Sequence, residues 1–185
     1  IGTPTGSEFF SVDHDQAALI YRSATYLIER GHSRILFVNG PPEYVGSGQR
    51  DEGFELALRE YGLEPDPALM KHGKITLEDG ERICSQAIDD GLEFTAVLTM
   101  NDIVAVGAIR SLRRAGRVCP NDVAVVGSGD TIVAGLHSPT LTSAKLYPYE
   151  QGQEAGAMVI DVIERRRLRP THTVIPATIV MRESA

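Results

Sequence analysis

The chain has 185 residues, of which 42% are hydrophobic and 23% charged, with a formal charge of −7. That is enough for one globular α/β domain, or one and part of another, and it excludes nucleic-acid binding by the general surface, because a polyanion is held by lysine and arginine that displace its counterions. No apolar run approaches the roughly 18 residues of a membrane span, and no signal-peptide pattern opens the chain.

Apolar residues first recur at helical spacing at Ala17, Ile20, Tyr21, Ala24, Leu27 and Ile28, with Asp13 or Asp15 as cap and Gly31 as stop. A strand Arg34 to Val38 follows, then the turn Asn39-Gly40-Pro41-Pro42 and a helix from about Gln49 to Tyr61 ending at Gly62. A helix over Leu77 to Asp90, capped by Thr76 and stopped by Gly91, leads to the strand Thr95 to Met100. Helix 102–115 ends at Gly116, and the strand Val123 to Val126 stops at Gly127-Ser128-Gly129-Asp130. Strand and helix alternating at this interval predict βαβ units and a parallel sheet with helices on both faces. A tail helix over about 149–167 ends in Arg165-Arg166-Arg167 with Arg169, read as a solvated helix end at the negative pole of its dipole. In the β-rich stretch 173–181, Pro176 removes a ladder donor, so the strand is an edge or is broken as it passes between sheets. Cys84 and Cys119 lie far apart without a CxxC or a histidine at metal-ligand spacing; they read as reduced thiols, Cys84 in the core, and no metal or cofactor is expected.

The strand tips at Asn101-Asp102 and Gly127 to Asp130 share one edge in a parallel sheet, the edge outside which α/β proteins bind ligands. Arg50 lies just inside the helix after the first complete strand, where amides and a guanidinium form a donor-rich corner for an anionic or hydroxyl-bearing ligand; the alternative is an exposed arginine paired with Asp51 or Glu52. Asn101 is a candidate for the ligand, with a helix cap as its alternative role, and Asp102 is read as a cap rather than a ligand group. Asp130 is either a ligand group or the cap of the following turn, with Ser128 beside it at the strand tip. Tyr44 and Tyr147 supply ring surface and a hydroxyl each, or serve packing. Enzyme readings find no support in motifs: Gly127-Ser128-Gly129 is not a GxSxG elbow, Gly46-Ser47-Gly48 lacks the third glycine of a dinucleotide fingerprint, there is no GxxxxGK[ST] loop, and the five histidines form no recognisable acid/base pair.

Six phrases in register carry a resemblance: Glu29-Arg30-Gly31-His32-Ser33-Arg34-Ile35, Val38-Asn39-Gly40-Pro41, Arg50-Asp51-Glu52-Gly53-Phe54, Asn101 to Ala108, Pro120 to Gly127, and Ser138-Pro139-Thr140-Leu141-Thr142. Together they are similar to the effector-binding core of the lactose-repressor/galactose-repressor (LacI/GalR) family of bacterial transcriptional regulators. The resemblance implies two subdomains of the periplasmic-binding-protein type with a cleft between them, and a DNA-binding head at the amino terminus. The chain opens Ile1-Gly2-Thr3-Pro4 without a methionine, and an upstream portion with that head is expected to be missing. Residues 1–32 and 148–167 would be the remnant of the first subdomain, 33–143 and 173–185 the second, with Pro176 near a crossover between sheets.

On the same resemblance Arg50 and Asn101 occupy effector-contacting positions. Gly129 stands where relatives carry an aspartate that holds ligand hydroxyls or base nitrogens, Ile75 where an aromatic often stacks, and Leu146 where a glutamine is usual, which makes the pocket less polar. Helix 102–115 is apolar all round for two turns, so it must be covered on two sides. The resemblance predicts a homodimer through Ile103, Val104, Val106 and Gly107; the alternative is cover by the tail helix of the same chain. The expected function is effector sensing by a cytoplasmic transcriptional regulator, most often a repressor, that binds a small metabolite such as a sugar or nucleoside and reaches operator DNA only through the missing head, with no membrane partner. The alternative is a periplasmic solute-binding protein serving a transporter.

Overall fold

The computed structural model describes residues 9–166 and 171–185. Its elements are β1 (Ser11–Asp13), α1 (Gln16–Ile28), β2 (Ile35–Asn39), α2 (Val45–Glu60), β3 (Met70–His72), α3 (Leu77–Asp89), β4 (Ala96–Thr99), α4 (Asp102–Arg114), β5 (Ala124–Gly129), α5 (Ile132–Leu136), β6 (Thr142–Lys145), α6 (Pro148–Ile163), β7 (His172–Val174) and β8 (Thr178–Val180). They form a six-stranded sheet in the order β3-β2-β4-β5-β6-β8, parallel except for the β6–β8 pair, and a small parallel sheet of β1 and β7.

Period-two alternation divides the large sheet's side chains between two cores. Ile35, Phe37, Leu98 and Val126 pack with Leu19, Ile20, Leu27, Phe54 and Leu58 of α1 and α2 on one face, where the rings of Phe37 and Phe54 stack at 4.7 Å. Leu36, Val38, Val97 and Val125 pack with Ile83, Cys84, Val104, Ile109 and Leu112 of α3 and α4 on the other. Local signals place the helices: Asp15 accepts from the Ala18 amide at 2.8 Å, and Thr76 caps α3 through the Asp79 amide. Burial pushes the Cys84 thiol up to about 11 and that of Cys119 to about 12, so both are poor nucleophiles.

Three segments cross between the sheets, β1 to α1, β6 to α6 and β7 to β8, and the last contains Pro176. The proline thus divides two strands that belong to different sheets. One boundary is corrected. The sequence reading grouped α1 with residues 1–32 in the first subdomain, but α1 packs against α2 and its Leu19, Ile20, Ala24 and Leu27 fill the core of the large sheet. The chain crosses at His14, ahead of the helix, because α1's apolar stripe finds its partner surface on β2 and β4. Two further edges move: α2 starts at Val45, so Gly46 to Gly48 form its first turn, and β5 runs on through Gly129. Of the basic tail cluster, Arg166 pairs with Asp161 and Glu164 at the end of α6; Arg167 and Arg169 lie outside the described residues.

Helix α4 gets its second cover from α3, not from α6. A Cβ on Gly107 would lie 2.1 Å from the Leu77 carbonyl oxygen, and one on Gly80 2.3 Å from that of Val104. The two backbones touch where both residues are glycine, the close approach for which a missing side chain is required.

Candidate functional site

Strand order reverses direction around β2 and β4: the chain goes from β2 outward to β3, then back across to β4 and onward. In open α/β sheets ligands bind outside the carboxyl ends of strands at such a switch point. Arg50 stands there. Its Nε donates to Gln16 Oε1 at 2.9 Å and one terminal nitrogen to Asn39 Oδ1 at 3.2 Å. Gln16 opens α1, just past the crossing from the small sheet, and Asn39 ends β2, so the guanidinium is held beside that crossing by two neutral amides of the large unit. This is neither the solvent-exposed arginine nor the contact pair with Asp51 or Glu52. Burial lowers the Arg50 pKa while Asp51 and Asp13 work in the opposite sense; a guanidinium stays charged throughout. Next to it, a polar recess of about 290 Å³ is lined by Asp13, His14, Asp15, Gln16, Gln49, His172 and Val174. A separate hollow between β1 and α6, lined by Phe10, Val12, Met158, Val159 and Val162, has little polar surface to orient a ligand.

Asn39 was read from sequence as part of a turn and of a phrase shared with the family, without a role of its own, and Gln16 was not singled out. Asn39 is almost completely buried and uses its whole amide: Oδ1 also accepts from the Gly40 amide at 2.7 Å, while Nδ2 donates to Ser47 O and Asp51 Oδ1 at 2.9 and 2.8 Å. The signal available in the sequence was a polar residue closing an otherwise apolar strand.

Asn101 sits on the same edge, one strand along. Its Oδ1 accepts from the Val104 amide at 2.8 Å, so Asn101, not Asp102, is the cap. Asp102 is buried and ties neighbouring tips together: Oδ2 accepts from the Thr131 amide and hydroxyl at 2.7 and 2.8 Å, and Oδ1 from the Ser143 hydroxyl at 2.6 Å. Met100, just before Asn101, approaches the Arg50 corner: its Cε and an Arg50 terminal nitrogen each lie 3.6 Å from a Cβ built on Gly40.

The remaining candidates separate. Ser128 is buried within β5, on the strand and not beyond its tip. Asp130 does not cap the following turn; its carboxylate binds Arg182 at 2.5 Å and faces Lys145 at 3.9 Å. With two cations already on it, Asp130 is a poor replacement for the aspartate expected at Gly129. Tyr44 immediately precedes α2 and is 51% exposed. Tyr147 precedes α6 and its hydroxyl bonds that of Thr178 at 2.8 Å, joining two of the crossing segments. Of the expected dimer residues, Val104, Val106 and Gly107 are buried within the chain, because α3 and the sheet cover them; Ile103 alone of the four is exposed, at 37%. Among the described residues no group of three or more His, Cys, Asp or Glu is placed to hold a metal ion, and no helix is long and apolar enough to cross a membrane.

A mostly parallel sheet with helices on both faces, joined to a small second sheet by three crossing segments, is a fold of the periplasmic-binding-protein type. Residues 24–185 match the family described as periplasmic binding protein-like domain, and the chain belongs to that family, in the LacI/GalR group of regulators. It is 34% identical over 164 residues to the HTH-type transcriptional regulator CelR of Thermobifida fusca, covering 88% of this chain and 48% of that protein. It is 28% identical over 177 residues to the HTH-type transcriptional repressor CytR of Escherichia coli K12, covering 96% and 52%. A solved CelR–cellobiose complex superposes with a TM-score of 0.93 at 31% identity, over all of this chain and 56% of that one. The chain therefore spans about half the length of the relatives it matches.

Proposed function

We propose that this chain is the effector-sensing part of a cytoplasmic LacI/GalR-type transcriptional regulator. The small sheet with α6 belongs to a first effector-binding subdomain, the six-stranded sheet with α1 to α5 is the second, and a small metabolite binds in the cleft between them. The observation that carries the reading is Arg50, held at the switch point by Gln16 from the crossing and Asn39 from β2. Its remaining N–H groups offer donors to a hydroxyl pair or a carboxylate; the Asn101 Nδ2 group, left over from capping, is a second contact, with Tyr44 as ring surface. A sugar fits these groups, in keeping with the cellobiose named in the CelR complex. Ser128, Asp130 and Tyr147 stand behind the site as support.

A ligand shifts a two-state protein only by its differential affinity for the two states. An effector touching both units favours one relative orientation of them, and in the intact protein that orientation sets the spacing of two DNA-binding heads. Homodimerisation falls to the surface left open near α4, where Ile103 is joined by Ile132 and Leu136 of α5, 79% and 77% exposed.

The test is a thermal-shift screen of the intact protein with cellobiose, other sugars, nucleosides and small acids. A ligand at 100 times its Kd adds about 2.7 kcal/mol of stability. Arg50→Ala is expected to fold and to lose the response. An unchanged response removes Arg50 from the site.

A further inference from the structure

The hydrogen bonds that hold Arg50 do not stop at Asn39. Asn39 Nδ2 donates to Asp51 Oδ1 at 2.8 Å, and the other oxygen of Asp51 lies 3.3 Å from Nε2 of His72. The second ring nitrogen of His72 is 2.8 Å from the Gly40 carbonyl oxygen. Four side chains from three elements, α2, β2 and β3, thus run from the cleft to the sheet edge, where the His72 side chain is 30% exposed and open to solvent protons.

Both ring nitrogens face acceptors. A neutral imidazole carries a single N–H, so either tautomer points a lone pair at an oxygen: at the Asp51 carboxylate in one, at the Gly40 carbonyl in the other. Only the doubly protonated ring donates to both. The charges follow the same logic. Arg50 and Asp51 cancel when the ring is neutral, and protonation leaves the corner with one net positive charge. From α2 the charged group on the ring is Asp51; β2 and the turn after it present the uncharged Asn39 and Gly40. On the side of α3, Asp79 is turned to the Lys74 amide and Arg82, and Lys71 and Lys74 flank the ring along the chain. Asp13 acts on Arg50 from β1.

We propose that His72 is a positioning residue for the cleft arginine: acting through Asp51 and Asn39, it holds the Arg50 guanidinium, and it completes that hold only when its ring carries a second proton. Grip on a hydroxyl-rich or anionic effector therefore tightens when the ring takes up that second proton. The functional consequence rests on Arg50 belonging to the effector site; the coupling itself does not.

The experiment follows the side-chain Nε–H resonance of Arg50 in the intact, isotopically labelled protein from about pH 8 to about pH 5, the range in which imidazoles change charge. Loss of the signal in Arg50→Lys assigns it. The Arg50 signal is expected to move in step with the His72 ring resonances, and to stand still in His72→Gln and in Asp51→Asn. Either variant suffices should the other fail to fold. A wild-type Arg50 signal that stays fixed, or one that moves equally in His72→Gln, overturns the proposal. No ligand is needed, so this failure is distinct from failure of Arg50→Ala to abolish an effector response.

Discussion

The six-stranded unit and the two-stranded unit treat their apolar surface in opposite ways. In the first, helices on both faces close two cores, and even the glycines of α3 and α4 are used for contact. In the second, α6 buries Met158 but leaves Val159 and Ile163 58% and 74% exposed, and among the described residues the sheet it accompanies has two strands, β1 and β7. One unit closes two cores of its own, whereas the other presents along α6 a surface that a folded protein ordinarily covers. On the proposed division, that cover comes from the rest of the first subdomain.

Substitutions that act differently on the two units sharpen this contrast. The largest effect is expected at the α3–α4 contact: Gly107→Val drives side-chain atoms into the Leu77 carbonyl and should cost at least about 3 kcal/mol, read by urea denaturation. Asp102→Ala comes next. It leaves the Thr131 and Ser143 donors without their shared carboxylate and should cost about 2 to 3 kcal/mol in the same assay. On α6, Ile160→Ser tests the cover directly: in the intact protein a loss of about 1 to 2 kcal/mol is expected, and a change within about 0.5 kcal/mol would mean that this face stays in water. The smallest effect is at Gly156, also on α6, where nothing lies within 4 Å of an added Cβ; Gly156→Ala should stabilise by about 0.5 to 1 kcal/mol through helix propensity.

The sequence made visible what is local. Thr76, and Asp15 beside Asp13 as its alternative, are legible as caps because a short polar side chain ahead of an apolar stripe has few other roles, and Pro176 is legible as an edge or a break because it lacks a ladder donor. What it concealed is which surface meets which. The stripe of α1 is identical whether it packs on one sheet or the other, so its assignment to the first subdomain failed. The all-round apolar start of α4 demanded a cover without naming it, and the answer depends on Gly80 meeting Gly107 across 27 residues of chain. Arg50 was legible by position after a strand, but its supports were not: Gln16 lies 34 residues away, and Asn39 reaches both Arg50 and Asp51 only because the strand end turns it inward. The partner of Asp130 was hidden for the same reason, since Arg182, which claims it, is 52 residues distant.

The three crossing segments are short and stitched to one another: His14 Nδ1 lies 2.8 Å from the Ile175 carbonyl oxygen, the Ile175 amide donates to Asp13 O, and the Tyr147 hydroxyl meets that of Thr178. Parallel straps of this kind resist being pulled or sheared, because every strap must lengthen at once, yet they yield to torsion about their common axis. On the proposed reading, the joint acts as a twist spring, and an effector lodged at its mouth is converted into an angle.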